Sequence, residues 1–340
     1  AERFAKDEYV FATIVEEAFV TVMEMYREGD PMLVITGERK PGLNKFRSFP
    51  LLLEGQPNVL FADGGSGKSM VAAYISVLMD TPPLHSLWSA RTEPGAVLVL
   101  DWETDEDEFS NRVAAIKRGM DIPTDAKLSI NYLRMEQPLE HDIDRIQQIV
   151  LEEKIDLVVV DSMEMAIAGN SNEASPVKGL YGAIHTLKTT SLLIDHVNKE
   201  GAQVGNRYKH NFARNSWRLE SSQIPGTDNV TVGFFHEKHN NTKKLGAFAV
   251  DMEFTIDEYG DMVALKFKQG DIAQVEEFQV RRSINDRIGD ELKVQARTVS
   301  ELSSSLGKDE ATIRTTLNRG KDTRYIKVDD TRWGLFYRGS

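Results

Sequence analysis

The 340-residue sequence has no cysteine, no apolar run long enough to span a bilayer and no excess of positive charge. Without cysteine the chain has no disulfides, thiol nucleophiles or thiolate metal sites, and its seven histidines show no paired metal-ligand spacing. The lack of a membrane-length run and of a signal-peptide pattern predicts a cytoplasmic protein without a membrane partner. A net charge of −12 argues against a surface that wraps duplex DNA.

The charge is unevenly distributed along the chain. Residues 278–340 contain 13 Lys and Arg against 9 Asp and Glu, whereas residues 1–277 contain 28 against 44. The length also exceeds the usual size of one core. We predict an N-terminal helical segment over 1–50, an α/β domain over 51–276 and a small α+β domain over 280–340.

Two kinds of periodicity support this division. Apolar residues at three- and four-residue steps predict an amphipathic helix over 8–27, which either packs into a core or docks on a neighbouring subunit. Short apolar runs predict buried parallel strands at 58–62, 96–101, 157–161, 191–195 and 230–235. Between these strands lie helical stretches, so the middle of the chain is predicted to be a mostly parallel sheet with flanking helices. A hairpin is predicted to follow, with strands at 247–255 and 262–268.

A glycine-rich run links the first of these strands to a helix. Backbone N–H groups of such a loop, together with the helix N-terminus, bind nucleotide phosphates. Lys68 would add a point charge, and the Ser69 hydroxyl would hold Mg²⁺. Ala62 stands where the pattern has its first glycine, and a flexible surface turn is the alternative. The predicted nucleotide-binding residues are Asp63, Gly64, Gly65, Ser66, Gly67, Lys68, Ser69 and Met70.

Polar residues follow three of the other strands, at the sheet edge where open α/β sheets bind ligands. Asp161 ends an apolar run in the arrangement that supports Mg²⁺ beside a phosphate loop. Glu103 stands where a carboxylate would orient the attacking water. His196 would sense the γ-phosphate, although a lone histidine is more often structural. The role of Asp101 stays open.

The acidic residues after Glu103 have a simpler explanation. Thr104 is predicted to cap the next helix, and the acids at 105–108 then lie in its first turn, where negative charge favours the helix dipole. We therefore assign these acids to stability and not to catalysis.

A polar loop at 201–210 follows the strand of His196. Its Arg207, Tyr208 and Lys209 combine positive charge with an aromatic ring, which suits a contact with single-stranded DNA by backbone attraction and base stacking. An ordinary solvated loop is the alternative.

The tail has the pattern of a winged helix. Thr298 and Glu301 form a capping box at the start of one helix, a second helix is predicted at 309–318, and a hairpin at 325–328 and 333–337 would form the wing. Such a module binds duplex DNA through its second helix or docks on protein.

The motifs in this order resemble those of RecA-like ATPases of the plasmid RepA hexameric helicase group. The resemblance covers about residues 50–255 and includes the segments 213–220 and 236–241. It implies a RecA-like P-loop fold, ATP and Mg²⁺ as cofactors, and self-association into a ring, expected to be a hexamer. It also implies a site completed by a neighbour's cation, for which Arg214 is the best match, Arg218 the second choice and Lys238 a further basic finger.

Together these features predict an ATP-hydrolysing, ring-forming motor with a C-terminal winged helix, a replicative DNA helicase acting on single-stranded DNA. The main alternative is a DNA-tethered regulatory ATPase whose winged helix binds duplex DNA without unwinding it. An assembly-type ATPase with no nucleic-acid partner is a third hypothesis.

Overall fold

The computed structural model describes residues 11, 13–18, 34–35, 37–38, 45–81, 92–197, 206–223, 226–240, 244–279 and 281–336, and at residues 206, 207 and 210 it describes the backbone alone. The chain divides into two compact units, residues 1–43 and 44–340. In the first unit, residues 11 and 13–18 are helical and exposed, within the predicted helix 8–27, whose other residues lie outside the described ones. The predicted domain boundaries at 50 and between 276 and 280 remain predictions.

The second unit contains an α/β sheet flanked by helices. Its strands up to the hairpin are β1 (Phe46–Ser48), β2 (Leu52–Leu53), β3 (Pro57–Ala62), β4 (Ala96–Asp101), β5 (Ile130–Arg134), β6 (Ile155–Asp161), β7 (Thr190–His196), β8 (Asn215–Gln223), β9 (Asn229–His239), β10 (Phe248–Ile256) and β11 (Met262–Gly270). Its helices are α1 (Lys68–Leu78), α2 (Glu106–Gly119), α3 (Ile143–Glu152), α4 (Met163–Ala166), α5 (Ala174–Thr186), α6 (Asn206–Phe212) and α7 (Glu276–Gln279). Among the described residues, no helix is both long and apolar enough to cross a membrane.

Nine strands form one sheet in the order β11-β10-β9-β8-β3-β7-β6-β4-β5. The six strands from β8 to β5 are parallel, and their apolar cores confirm the predictions at 58–62, 96–101, 157–161 and 191–195. The prediction of a parallel strand at 230–235 is wrong, because β9 pairs antiparallel with both β8 and β10. Only a short connection joins β8 to β9, and parallel pairing needs a long crossover. The hairpin predicted to follow is confirmed as β10 and β11.

Apolar side chains cover both faces of the sheet. One buried cluster packs α1 and α2 against the sheet, and the second packs α3, α4 and α5 against the other face. The hairpin curls over α1 and α2, since Tyr74 of α1 stacks on Phe267 of β11 with ring centroids 3.9 Å apart. A Cβ on Gly119 of α2 would lie 1.9 Å from the carbonyl oxygen of Leu265, so this close approach requires glycine.

The tail forms three helices and a three-stranded sheet. Its elements are α8 (Ile284–Val294), β12 (Arg297–Thr298), α9 (Val299–Leu306), α10 (Glu310–Arg319), β13 (Tyr325–Lys327) and β14 (Arg332–Leu335), with sheet order β12-β14-β13. The predicted capping box of Thr298 and Glu301 is formed, and Gly307 ends α9 in the left-handed conformation. Both predicted helices and the hairpin are present, whereas α8 and β12 were not predicted. Apolar side chains from all three helices meet Tyr325 and Trp333 in a separate small core.

Candidate nucleotide site

The glycine loop lies between β3, which is buried throughout, and the first residue of α1. Gly65 and Gly67 have φ of +75° and +82°, a region that glycine adopts freely. A Cβ on Gly67 would also lie 2.7 Å from the Cε of Met252, on β10. Asp63, Gly64 and Gly65 are exposed, and the Ser66 hydroxyl donates to the Asp63 carbonyl at 2.7 Å. The predicted strand, loop and helix are therefore all formed, and the tip of the loop is accessible.

Lys68 is the first residue of α1 and is only 4% exposed. Its ammonium donates to the carbonyls of Ala62 and Asp63, at 3.1 and 2.9 Å, and so lies within the loop. Burial lowers the pKa of Lys68, and the charges of surrounding carboxylates, Asp161 foremost, oppose that shift. A cation held inside the loop is positioned to bind a phosphate group.

Asp161 ends β6 beside the loop. The Ser69 hydroxyl hydrogen-bonds to its carboxylate, while its buried Oδ1 has no hydrogen-bond partner in the described part of the chain. Burial, reinforced by the carboxylates of Asp101 and Glu103, raises the pKa of Asp161 to about 6. An unpartnered carboxylate oxygen next to a hydroxyl fits Mg²⁺, which takes one or two protein oxygens and completes its shell with water and phosphate. The described residues contain no cluster of three or more His, Asp or Glu that could hold a metal ion.

Glu103 and His196 meet at the same edge of the sheet. The Oε1 of Glu103 lies 3.5 Å from the Nε2 of His196, and both side chains are about two-fifths exposed. They follow or end strands β4 and β7, which lie on either side of β6. The structure therefore brings the predicted water-orienting carboxylate and the predicted phosphate sensor into one group with Asp161.

Asp101 has a different role from Asp161, although the two residues are in register on adjacent strands. Its buried carboxylate accepts hydrogen bonds from the backbone N–H groups of Glu103 and Thr104, at 2.8 and 2.9 Å, and from the Thr104 hydroxyl. Asp101 thus fixes the turn that presents Glu103. The prediction that Thr104 caps the next helix is wrong, because Asp105 is the N-cap and accepts from the N–H of Glu108. Thr104 instead donates its backbone N–H and its hydroxyl to the carboxylate of Asp101.

Arg214 and Lys238, which we call the basic pair, lie together at the opposite edge of the sheet. The backbone N–H of Arg214 donates to the carbonyl of Pro57 at the start of β3. Lys238 is half-buried, its ammonium donates to the Asn211 carbonyl at 2.6 Å, and burial followed by the charge of Arg214 lowers its pKa. At about 3.3 Å per residue, the five residue steps from Pro57 to Ala62 separate Arg214 from its own phosphate loop by roughly 16 Å along β3.

The two arginines proposed for the neighbour's site differ in their contacts. Arg218 pairs with Glu220 at 3.0 Å, and Glu220 also binds Arg281. Arg214 is exposed, and no carboxylate of the described residues forms an ion pair with it. Of the two side chains, that of Arg214 is therefore the one whose charge is not already paired with a carboxylate of the described residues.

Residues 37–202 match the family model described as AAA domain. The matched segment contains the phosphate loop, Glu103, Asp161 and His196, so its sequence and geometry together are those of a P-loop ATPase domain. The basic pair and the tail lie outside the match.

The chain is also similar to solved structures. One of them is a KaiC-like protein from the hyperthermophilic archaeon Pyrococcus horikoshii OT3, with 14% sequence identity and a TM-score of 0.45 over 67% of this chain and 97% of that chain. A search of curated protein sequences gave no match.

The predicted DNA-contacting residues of the ATPase domain are placed differently from expectation. Residues 206–212 form helix α6, and the rest of the predicted loop, 201–205, lies outside the described residues. Tyr208 is 39% exposed, and the side chain of Arg207 is not among those described. The prediction that Lys209 contacts DNA is wrong for this conformation, because the helix turns it inward and leaves it 3% exposed.

Sequence reasoning also missed the partners of Lys209. Its ammonium pairs with Asp195, 2.8 Å away, and with Glu164. Asp195 precedes His196 on β7, and Glu164 follows Asp161 by three residues. A carboxylate buried at a strand end next to a predicted site residue was the available signal, but no spacing rule links it to a lysine 14 residues away.

Proposed function

We propose that this chain is an ATP-hydrolysing, ring-forming motor of the RecA-like class that acts on single-stranded DNA as a replicative helicase. The observation that carries the proposal is the position of the basic pair, on the sheet edge opposite the phosphate loop. Cations at that distance do not reach the nucleotide of their own subunit. In a head-to-tail assembly they would reach the nucleotide of the next one.

Within one subunit, each site residue has a separate task. The loop N–H groups and Lys68 hold the triphosphate, and Asp63 to Met70 surround it. Ser69 and Asp161 would hold Mg²⁺, which when bound neutralises charge on the phosphates. Glu103 orients the attacking water, and His196, in contact with Glu103, reports whether the γ-phosphate is present.

Across the subunit interface, Arg214 and Lys238 would stabilise the negative charge that develops on the transferred phosphoryl group. An arginine supplied in trans accelerates such reactions by about 10³ to 10⁵. Hydrolysis would then depend on assembly. A hexamer is the ring size that we propose.

The contact with single-stranded DNA is assigned to α6 and to the segment 169–175, which follows α4 and ends in the first two residues of α5. Tyr208 offers an exposed ring for base stacking, and Arg207 is its neighbour in sequence. Lys209 is left out of this surface because its ammonium is used internally.

Subunit mixing tests the proposal directly. Lys68→Ala removes the phosphate cation and Arg214→Ala removes the trans cation, so each variant alone should have less than one-hundredth of the parent's ATPase activity. Mixed in equal amounts, they should recover about one quarter of the parental rate, since one interface in four combines an intact loop with an intact arginine. Arg218→Ala, whose partner is Glu220, is the matched control and should retain most of the activity. Failure of the mixture to recover activity would contradict the trans mechanism.

A second candidate function rests on the tail, which we infer to be a winged helix from its order of helix, strand, two helices and hairpin. The face of α10 that points away from the tail's core carries Arg314, Thr315 and Asn318, side chains that can contact bases in a major groove. A regulatory ATPase would use this face on duplex DNA and would not unwind it. Stimulation of hydrolysis by duplex alone would favour the regulator, whereas stimulation by single strands, lost in Arg207→Ala with Tyr208→Ala, would favour the motor.

A further inference from the structure

Lys209 lies at the centre of a buried ionic network next to the nucleotide site. Its side chain is 4% exposed, and its ammonium contacts the carboxylate of Asp195, which is fully buried, and that of Glu164, which is half-exposed. Glu164 in turn accepts a hydrogen bond from the Ser171 hydroxyl at 2.6 Å. A buried charge with two carboxylate partners fixes the position of the backbone that carries it, because any displacement leaves charges unpaired.

The network joins the segments that follow the site residues. Asp195 is adjacent to His196 on β7, and Glu164 lies on the short helix α4 that follows Asp161 and β6. The backbone carbonyl of Lys209 also accepts a hydrogen bond from the buried hydroxyl of Tyr181, at 2.5 Å. Both the side chain and the backbone of Lys209 are therefore held.

The other end of α6 leads to the basic pair. The carbonyl of Asn211, two residues after Lys209, accepts the hydrogen bond from the ammonium of Lys238. Arg214 follows two residues after the end of α6. One short helix thus connects the nucleotide edge of the sheet, through Lys209, with the opposite edge, where the basic pair lies.

We propose that Lys209 is a positioning residue that anchors α6 on the strand of His196 and thereby sets the position of the basic pair offered to the next subunit. The proposal rests on the trans mechanism given under Proposed function. It assigns to Lys209 no contact with nucleotide or DNA. Lys209 affects hydrolysis by positioning Arg214 and Lys238 of the same chain, which act at the nucleotide site of the neighbouring subunit.

The mixing assay distinguishes this role from other roles. Lys209→Met should lower the ATPase rate at least tenfold while changing the Kd for Mg²⁺-ATP by less than about twofold, because the phosphate loop is untouched. Its own loop is intact and its basic pair is displaced, so a mixture with Lys68→Ala should recover activity, and a mixture with Arg214→Ala should not. Lys209→Arg keeps the charge and should restore at least half of the parental rate. Lys178→Met, at an exposed position on α5, should behave as the parent does.

Lys209→Met leaves the Asp195 carboxylate buried without its lysine, and this variant can fail to fold. The double variant Lys209→Met with Asp195→Asn removes both charges, and it should show the same complementation pattern with a melting temperature close to that of the parent.

Three results with the Lys209 variants would overturn the inference. The first is an unchanged ATPase rate in both Lys209 variants. The second is complementation by Arg214→Ala but not by Lys68→Ala, which would place the defect in the chain's own site. The third is equal loss of ATP affinity and rate, with no recovery in any mixture, which would show a merely structural role. If the reference mixture of Lys68→Ala and Arg214→Ala itself recovers no activity, the trans mechanism fails, and the inference fails with it. If the reference mixture recovers activity but the Lys209 variants do not show the expected complementation, the inference about Lys209 is wrong and the trans mechanism stands.

Discussion

Replacement of Asp161 by asparagine should stabilise the free protein while it removes Mg²⁺-dependent hydrolysis. Burial raises the pKa of Asp161 from 3.8 to about 6. The ionised carboxylate is disfavoured in the folded chain because it is removed from water and its Oδ1 has no hydrogen-bond partner among the described residues. A shift of about two units corresponds to about 3 kcal/mol, at about 1.4 kcal/mol per unit. Asparagine has the same shape without the charge.

The sign of the pH dependence follows from proton binding. Between about pH 4 and 6 the folded chain keeps the Asp161 proton that the unfolded chain has released, so the stability that this carboxyl contributes falls as pH rises through that window. The gain from Asp161→Asn should therefore be about 3 kcal/mol at pH 7.5, about half of that at pH 5, and absent below pH 4.

Urea unfolding in metal-free, nucleotide-free buffer at these pH values measures the gain. Asp101→Asn is the matched control, because Asp101 is also a buried strand-end carboxylate but its oxygens accept hydrogen bonds from Glu103 and Thr104. That substitution should destabilise the protein by about 1–3 kcal/mol at pH 7.5. The reasoning is refuted if Asp161→Asn unfolds no later than the parent at pH 7.5, or if its advantage does not change with pH.

Three other substitutions or conditions test separate parts of the structure. Gly67→Ala should weaken ATP binding at least tenfold, measured by calorimetry, because the alanine methyl would meet Met252 in a left-handed backbone conformation; unaltered affinity would contradict this. Burial lowers the pKa of His236 to about 4, so its neutral ring contributes about 3 kcal/mol above pH 6.5 that is lost as pH falls toward 4, and His236→Gln should flatten that part of the stability profile. Thr298→Ala removes the capping box of α9 and should lower stability by about 1 kcal/mol in urea, whereas Thr315→Ala, exposed on α10, should not.

The parallel part of the sheet was predictable because its strands are continuous apolar runs. A strand such as β6, with Leu157 to Val160 buried on both faces, is unlike any helix pattern in its length and β-branched content. Two strands of this parallel part were missed, β5 and β8. Both mix polar with apolar residues, and in β8 the polar Asn215 and Ser216 are themselves buried, so the pattern of these strands is not distinct from that of a loop. The pairing direction of the strand at 230–235 was predicted wrongly, since an apolar run alone does not show which strand it pairs with or in which direction.

In the candidate site, the sequence pattern placed Glu103, Asp161 and His196 at one common edge of the sheet but did not distinguish the roles of the carboxylates. Asp101 and Asp161 both end an apolar run, yet only the folded turn after Asp101 supplies the N–H groups that occupy its carboxylate. Lys209 likewise lies in a segment whose basic and aromatic residues are typical of a DNA-binding loop. Only the helical geometry of α6 turns its side chain toward Asp195. Such differences arise from contacts between distant segments, which local patterns do not contain.

If Arg214 completes the site of a neighbouring chain, as we propose, the placement of the phosphate loop and Arg214 at opposite ends of β3 also limits which head-to-tail assemblies can be fully active. An open stack of subunits always ends with one loop that receives no arginine, so its specific activity rises with every subunit added. Among such head-to-tail assemblies, a closed ring gives each chain both a donor and an acceptor, and a ring that loses one member loses two of the proposed junctions.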